Sequence, residues 1–541
     1  MQPDRRTFLL SLASVATLAA CGGGSDSSTV ASQGTGTAPA SGTSPDVGLP
    51  ATPQVPSTPN TPSTPPPGPN VIQRENAKGD ADGVTSDWEI ADGRYAAAQE
   101  IEGYASATSV NRGESISLFV STIDPEYTIE VFRMGWYGGR GARRLAGPIR
   151  RPGRKQPMPA PDPATLLVEC DWSDPYVLAI PSNGSDPTDW ASGIYLARLT
   201  GSSGRQSYII FVVRDDARHS DLMFQSSVTT YAAYNNWGGY SLYPIDGLDG
   251  KVAYKVSFNR PYRNPQRPSA GKGAGDFLSW EIQMLRFLER EGYDVVYSTN
   301  LDTDRDADEL RKHRAFLSVG HDEYWTKGMY DAIESARDHG VHLAFFGANT
   351  AYWQIRLEPA VKSQQPCRTV VAYKYATATD DPMYSSNPQL STYLWREAVN
   401  PPINRPEAAL VGVMYNYNSL DGDMVMADCS NWICDGTGLQ RGSVLRGMLG
   451  YEVDALAPSS PAGITVLAAS PFTACLETSC KQTEQRTSHM TYYQAASGAG
   501  VFATGSMNWH WGLDAYGLYG DRVNPAVQRM TRNVLNRFTA K

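Results

Sequence analysis

Apolar residues follow two different periods along this chain, and the change of period divides it. Up to about residue 215, short segments alternate apolar and polar positions with the period of β-strands. These segments are 115–120, 128–132, 194–199 and 208–213. Gly, Pro, Asn and Asp separate them, as is typical of strands joined by turns. The pattern predicts a β-sandwich domain over residues 71–215.

From about residue 216, helical and strand-like patterns alternate instead. In chain order they are a helical face from Leu278 to Leu288, a strand at 293–297, a short helix at 306–313, a strand at 315–319, a helix that stops near Gly340, and a strand at 341–346. This order predicts a doubly wound, mostly parallel α/β domain over residues 216–541. We expect its last core strand at 500–505 and its last helix at 525–538.

A turn after one predicted strand carries three ionisable side chains. Gly320 ends the apolar run, and His321, Asp322 and Glu323 follow it directly. Open α/β sheets bind ligands at the carboxyl ends of their strands, so the turn is a candidate metal or acid–base site. The alternative is that these residues are solvated and cap the next helix. Asn349 follows the next predicted strand and can face the same crevice.

Aromatic residues concentrate in two segments. Residues 229–243 contain four tyrosines, one tryptophan and paired glycines, which predicts a looped strand that presents its rings to a ligand. A packed seam between domains is the alternative. Residues 136–140, with Trp and Tyr before two glycines, are expected to pack on the next domain, and ligand binding is the alternative.

The first residues predict export. Arg5 and Arg6 lie in a segment that resembles a twin-arginine signal, and a short apolar run leads to Leu18-Ala19-Ala20-Cys21, which resembles a lipobox. We therefore expect residues 1–21 to be a signal and Cys21 to be lipidated. Residues 22–70 are mostly Gly, Ser, Thr, Pro and Ala, the composition of a disordered tether. The protein is expected in the periplasm or on the cell surface, in contact with a membrane only through its anchor.

Charge and cysteine content narrow the classes of function. The net charge is −9, and no run of Lys or Arg forms a face for nucleic acid. In an exported protein the remaining cysteines should oxidise. Cys429 with Cys434 and Cys475 with Cys480 each close a short loop, which predicts two disulfides; a zinc site is the alternative. Cys170 and Cys367 are left to pair with each other or to stay free.

Several segments together resemble the large subunit of N,N-dimethylformamidase and its related domain family. They are Ala233–Gly239 with Ser241–Tyr243, Arg260–Tyr262, Gly320–Trp325 and Gly347–Trp353, within a likeness that covers most of residues 90–540. The resemblance implies an amidotransferase-like α/β domain and one iron held by two tyrosines and a glutamate. By motif these are Tyr234, Tyr243 and Glu323, with Tyr231 as the alternative to Tyr234. It also implies that His321 and Asn349 are catalytic.

This ligand set is chemically reasonable, because phenolate and carboxylate oxygens are hard ligands that suit ferric iron. The expected function is an iron-dependent hydrolase of a small amide or related C–N bond. The seven histidines show no zinc-hydrolase spacing such as H-E-x-x-H. One departure is Gln494, which stands where the resemblance implies an acidic residue that assists catalysis. The alternative is a non-catalytic surface lipoprotein that binds glycans or a protein partner through the β-sandwich and aromatic loops. The sequence does not determine the oligomeric state, and a homo-oligomer is one alternative.

Overall fold

The structure is a computed structural model that describes residues 68–540, except 183, 245–249, 264–270, 375–377, 397–402, 478 and 518. The predicted signal, Cys21 and most of the predicted tether therefore lie outside the described residues. Within the described part, none of the helices is both long and apolar enough to cross a membrane.

The first nine strands form two sheets. In chain order they are β1 (Val84–Thr85), β2 (Ile101–Ala105), β3 (Ser109–Asn111), β4 (Ser115–Thr122), β5 (Glu126–Met134), β6 (Ala142–Pro152), β7 (Tyr176–Ala179), β8 (Gly193–Gly201) and β9 (Gln206–Arg214). One sheet has the order β1-β6-β5-β8-β9-β3 and the other β2-β4-β7. Buried side chains of both sheets, such as Leu118 and Val131, share one apolar core. The strands predicted from the alternating pattern are all present, while the domain boundaries stay a prediction.

The remaining strands form a mixed sheet and two smaller sheets. In chain order they are β10 (Leu222–Ser226), β11 (Lys255–Ser257), β12 (Val295–Thr299), β13 (Ala315–His321), β14 (Tyr324–Thr326), β15 (His342–Ala348), β16 (Trp353–Glu358), β17 (Thr369–Val371), β18 (Tyr393–Leu394), β19 (Met414–Val425), β20 (Val444–Ala455), β21 (Thr465–Cys475), β22 (Thr483–Gln494) and β23 (Gly500–Ala503).

The mixed sheet has the strand order β12-β10-β13-β15-β23-β22-β21. Strands β12 to β23 of this order pair in parallel, and β22 and β21 extend the sheet in the antiparallel sense. The predicted mostly parallel sheet of a mixed α/β fold is thus confirmed. Strands β11, β14, β16, β17 and β18 form a second sheet, and β19 and β20 form a long hairpin.

The described helices flank these sheets or connect their strands. They are α1 (Val71–Asn76), α2 (Val228–Tyr234), α3 (Phe277–Trp280), α4 (Ile282–Glu291), α5 (Asn300–Arg305), α6 (Lys327–Asp338), α7 (Met383–Ser386), α8 (Ala408–Val411) and α9 (Pro525–Thr539). Helices α6 and α9 match their predictions within a few residues. The predicted face from Leu278 to Leu288 is divided between α3 and α4.

Three local predictions differ from the structure. The short helix predicted at 306–313 is present as a single 3-10 turn, Glu309–Lys312. An unpredicted helix, α5, precedes it, because Thr299 and the Asp302 side chain form a capping box there. The predicted looped strand at 229–243 begins as helix α2, because buried contacts such as that of Thr229 Oγ1 with the Tyr324 carbonyl oxygen, 2.8 Å, hold its first turn. Strand β13 continues past Gly320 and ends at His321.

The loop at 136–140 packs as predicted. Its Trp136 ring lies under the guanidinium groups of Arg286 and Arg290, whose Cζ atoms are 4.9 Å and 5.4 Å from the ring centroid. Both arginines belong to helix α4, so the loop joins the β-rich part to the α/β part through cation–π contacts.

One predicted disulfide is formed in the structure, between Cys475 and Cys480. Cys429 and Cys434 remain thiols whose sulfur atoms lie 2.6 Å apart, so their pairing stays a prediction. Cys170 is a buried free thiol and Cys367 is also unpaired.

Candidate active site at the end of strand β13

Two phenol oxygens and one carboxylate converge beside the end of β13. Tyr234 Oη, on α2, donates a hydrogen bond of 2.9 Å to Glu323 Oε2. Tyr243 Oη lies 3.1 Å from the same oxygen and 3.3 Å from Glu323 Oε1. The two phenol rings stack with their centroids 4.2 Å apart. The structure therefore brings together the three predicted metal ligands, although 80 residues separate Tyr243 from Glu323 in the sequence.

Tyr231, the alternative to Tyr234, lies elsewhere. Its hydroxyl group is 3.2 Å from Ser226 Oγ and close to the buried carboxyl group of Glu281. No hydrogen bond between Tyr231 and Glu323 is formed within the described residues. The geometry therefore favours Tyr234.

The turn that carries Glu323 is fixed on its inner side. Gly320 has φ +71°, and a Cβ atom there would lie 2.6 Å from the Trp280 carbonyl oxygen, so only glycine fits. Asp322 is buried and accepts hydrogen bonds of 2.9 Å from three neutral donors, which are Gln225, Asn300 and Ser318. Because the Asp322 side chain is held in the interior, the side chains of its neighbours His321 and Glu323 are the ones that meet in the cluster.

Further contacts set the direction of the Glu323 side chain. The indole Nε1 of Trp353 donates to Glu323 Oε1 at 3.0 Å. The backbone N–H of Glu323 donates to Thr230 Oγ1, also at 3.0 Å. The carboxylate is buried, with 3% of the residue exposed, so its orientation is determined by protein groups and not by solvent.

His321 lies between two carboxylates. Its Nε2 is 3.3 Å from Glu323 Oε2 and 3.1 Å from Glu452 Oε2. Neither contact has the alignment of a good hydrogen bond, and Glu452 Oε2 has no hydrogen-bond partner among the described residues. A buried acid with an unpartnered oxygen next to a histidine is a candidate for proton transfer.

Gln494 is the position that the resemblance matches to an acidic residue, and the structure places it away from this cluster. Gln494 is exposed at the end of β22 and donates to the carbonyl oxygen of Gly498 at 3.0 Å, so it is not part of this cluster. Glu452, on the hairpin strand β20, supplies the acidic side chain instead. The signal that could have identified it is the pair Glu452 and Asp454, two carboxylates spaced to lie on one face of a strand.

Asn349 occupies the turn after β15. Its φ is +55°, a left-handed conformation that Asn tolerates better than most residues, and its backbone N–H donates to Asp454 Oδ1 at 2.8 Å. Its side-chain Oδ1 is buried without a hydrogen-bond partner among the described residues. Strand β20 thus supports the site twice, through Glu452 at His321 and through Asp454 at Asn349.

The buried charges of the cluster shift the pKa values of its groups in different directions. Burial alone would lower the pKa of His321, but the carboxylates of Glu452 and Glu323 outweigh it and raise that pKa well above its usual value. Burial would raise the pKa of Glu323, but His321 and the Lys374 ammonium hold it below its usual range. Burial and the charge of Glu323 raise the pKa of Tyr234 well above its usual value. This protein therefore favours protonated His321, ionised Glu323 and a phenol that keeps its proton.

The donor set fits a hard metal ion. In the described part of the chain, no group of three or more His, Cys, Asp and Glu side chains is arranged to hold a metal. A metal at this position would therefore depend on the oxygens of Tyr234 and Tyr243 together with Glu323. Three oxygen donors of this kind suit ferric iron better than zinc or copper(I).

The fold and this cluster define an α/β protein with an oxygen-rich candidate metal centre at the carboxyl end of a parallel strand. The profile of the family described as N,N-dimethylformamidase beta subunit-like, C-terminal, matches residues 128–524. The chain belongs to this family, which confirms the resemblance inferred from its motifs.

Two curated relatives are similar to this chain. The N,N-dimethylformamidase beta subunit of Alcaligenes sp is 26% identical over 358 residues, or 60% of this chain and 44% of that protein. The beta subunit of the same name from Paracoccus aminophilus is 26% identical over 357 residues, with the same two shares. The chain thus spans under half the length of the curated relatives it matches.

Solved structures are less similar. Murine CEACAM1b, at 12% identity, covers 23% of this chain and 62% of its own with a TM-score of 0.12. The alkylpurine DNA glycosylase AlkC of Pseudomonas fluorescens, also at 12% identity, covers 21% of this chain and 30% of its own with a TM-score of 0.12. Scores of this size carry no inference about fold or function.

Proposed function

We propose that this protein is an iron-dependent hydrolase that cleaves a small amide or a related C–N bond, exported and held at a membrane by a lipid on Cys21. The observation that carries the proposal is the convergence of Tyr234, Tyr243 and Glu323 on one point, with His321 and a second buried carboxylate beside them. The curated relatives named N,N-dimethylformamidase support the reaction class.

Tyr234, Tyr243 and Glu323 would hold the iron. When bound, the ion supplies Lewis acidity, which polarises a carbonyl group and lowers the pKa of a bound water. The surrounding rings restrict water at this point, since Tyr243 and Trp353 are both buried. Exclusion of water strengthens each electrostatic contact inside the site.

The proton transfers of amide hydrolysis fall to His321 and Glu452. The attacking water must lose a proton as its oxygen bonds to the carbonyl carbon, and Glu452 Oε2 is the unpartnered acceptor beside His321. The leaving nitrogen must gain a proton as the C–N bond breaks. His321 Nε2, held in its charged form between two carboxylates, can donate it. The proton that Glu452 accepts then passes to His321 Nε2 across their 3.1 Å contact, so each group ends in the protonation state in which it began.

Asn349 is proposed to orient the substrate. Its buried side-chain oxygen has no hydrogen-bond partner within the described residues, and an amide N–H of a substrate can donate to it. The rings of Tyr352 and Tyr415 have their centroids 5.2 Å apart. They add apolar surface near the carboxylates of Glu323 and Glu452. Rings and one fixed amide favour a small, neutral substrate.

The proposal is tested on purified protein with its leader removed. We expect about one iron per chain, a visible phenolate-to-iron absorption band, and release of an amine from small N-substituted formamides and acetamides. Tyr243→Phe should shift or bleach the band and Glu323→Gln should weaken iron binding. As the matched control, Tyr195→Phe removes an equally buried phenol in the β-rich part, where its hydroxyl bonds to the Ala191 carbonyl oxygen at 2.8 Å. Iron-free, colourless protein from iron-replete cells would contradict the proposal.

A further inference from the structure

Behind Tyr243 lies a second phenol and a buried ammonium group. Tyr324 Oη is 2.6 Å from Tyr243 Oη, and Lys374 Nζ is 2.6 Å from Tyr324 Oη. Tyr324 is fully buried and only 5% of Lys374 is exposed. Neither residue was identified as a site residue from the sequence.

The donors and acceptors at the two ends fix the direction of this hydrogen-bond chain. A lysine ammonium can only donate, so Tyr324 Oη accepts from Lys374. An ionised carboxylate can only accept, so Tyr243 donates to Glu323. Tyr243 has a single hydroxyl hydrogen and donates it to Glu323, so Tyr324 is the donor in the 2.6 Å contact between the two hydroxyl groups. The chain runs from Lys374 through Tyr324 and Tyr243 to Glu323, and each bond polarises the next.

The ammonium group also acts directly on the ring of Tyr243. Lys374 Nζ is 3.4 Å from the centroid of that ring, 4.9 Å from the centroid of Trp353 and 5.2 Å from that of Tyr324. A cation this close to the ring of Tyr243 in a desolvated site interacts favourably with it, whereas at Tyr324 the ammonium meets the hydroxyl end of the ring as a hydrogen-bond donor. The Lys374 ammonium is therefore the first donor of the hydrogen-bond chain and also a positive charge next to the oxygens of the proposed metal ligands.

We propose that Lys374 and Tyr324 are positioning residues for Tyr243, which hold its oxygen toward Glu323 and donate a hydrogen bond to it when it binds ferric iron. The inference rests on the proposed iron site. Residues that hydrogen-bond to a metal ligand in this way orient it and tune the metal.

A direction of spectral change follows. A hydrogen bond donated to a phenolate lowers the energy of the electrons on its oxygen, so more energy is needed to transfer one to iron. Without the donor, the band of Tyr243 should move to longer wavelength. Tyr324→Phe removes only the hydroxyl group and keeps the ring, and Lys374→Met removes the charge and keeps most of the chain length.

The experiment compares wild type, Tyr324→Phe, Lys374→Met and the control Tyr195→Phe as iron-loaded full chains. We expect both site variants to shift the band to longer wavelength and to bind ferric iron about 10- to 100-fold more weakly in competition with a chelator. Tyr195→Phe should match wild type in both. Should Lys374→Met fail to fold by circular dichroism, Tyr324→Phe decides alone.

Two negative outcomes differ. A wild type that binds no iron overturns the proposed function, and this inference with it. A wild-type band that responds to Tyr243→Phe but is unchanged in position and affinity by Tyr324→Phe overturns only the positioning role.

Discussion

Arg133 and Glu289 form a bidentate ion pair with both side chains fully buried. Arg133 Nη2 lies 2.7 Å from Glu289 Oε1, and Nη1 lies 3.0 Å from Oε2. Arg133 belongs to β5 and Glu289 to α4, so the pair joins the β-rich part to the α/β part. The hydroxyl groups of Tyr137 and Tyr297 complete the network, each 3.0 Å from one member of the pair. Burial would lower the pKa of Arg133, but Glu289 outweighs it, so the guanidinium stays charged.

Removal of one member should therefore be costly. Arg133→Met leaves an unpaired carboxylate in the interior, and we expect a loss of about 3–5 kcal/mol in the free energy of unfolding. The double variant Arg133→Met/Glu289→Leu should recover part of that loss, because no buried charge remains. Denaturant unfolding followed by fluorescence measures both. The control is Arg205→Met, whose partner Glu100 lies at a partly exposed position, and it should cost under about 1 kcal/mol. Equal losses for both single variants would contradict the expectation.

Glu452→Gln should separate catalysis from metal binding. The substitution keeps the shape of the side chain but removes the acceptor for a proton beside His321, and Glu452 is not among the proposed ligands. We expect amide hydrolysis to fall about 100- to 10,000-fold while iron content and the absorption band stay as in wild type. Gln494→Ala, at the exposed position first linked to the acidic role, should leave the rate unchanged. A rate that follows Gln494 and not Glu452 would reverse the assignment.

Glu281 predicts a pH dependence of stability. Burial raises its pKa to about 7, and its oxygens accept hydrogen bonds of 2.9 Å from Ser226 Oγ and the Ser227 backbone N–H. The folded protein therefore retains a proton that the unfolded chain releases near pH 4.5. This contribution is fully present below pH 4.5 and is lost as the pH rises to about 7, with a slope of up to ~1.4 kcal/mol per pH unit.

Glu281→Gln is the matched variant, because a carboxamide has no proton to lose in this range. The difference in free energy of unfolding between wild type and the variant should fall from pH 4.5 to about 7 and then level off. Chemical denaturation at several pH values measures it. A difference that stays constant over this range would show that Glu281 titrates normally.

Cys21→Ser tests the membrane anchor. If Cys21 carries the lipid, wild type should fractionate with membranes and the variant should be released into the soluble fraction. Mass spectrometry of the N-terminal peptide identifies the modification directly. Soluble wild-type protein cleaved at another residue would contradict the prediction.

The sequence predicted the parts of the site that depend on local order. A parallel arrangement of β13 and β15 follows from the alternation of strands and helices, and it places Glu323 and Asn349 at one edge whatever the details of packing. The tyrosines came from motif resemblance, and the structure brings Tyr234 and Tyr243 to Glu323. The secondary structure of the segment around Tyr234 was not predicted from the sequence. Tertiary contacts hold it as helix α2, where the aromatic-rich pattern indicated a strand.

What could not be predicted depends on long-range pairing. Glu452 reaches His321 from a hairpin 131 residues further along the chain, since 452 minus 321 is 131. Its spacing from Asp454 places two carboxylates on one face of a strand, but its position beside His321 is determined by the pairing of β19 with β20, including irregular register. Lys374 follows β17 without any periodic signal, and its contact with the ring of Tyr243 depends on tertiary packing.

The hairpin of β19 and β20 lies between the sheet strands β15 and β23 in the chain, and it contributes Glu452 to the cluster while the proposed iron ligands all precede it. The absorption band of the proposed iron site and the rate of hydrolysis should therefore depend on different segments of the chain. If the proposed iron site is present, exchange of this hairpin for that of a relative should change the reaction rate and leave the iron absorption band in place, and the band would then report that the rest of the chain has folded.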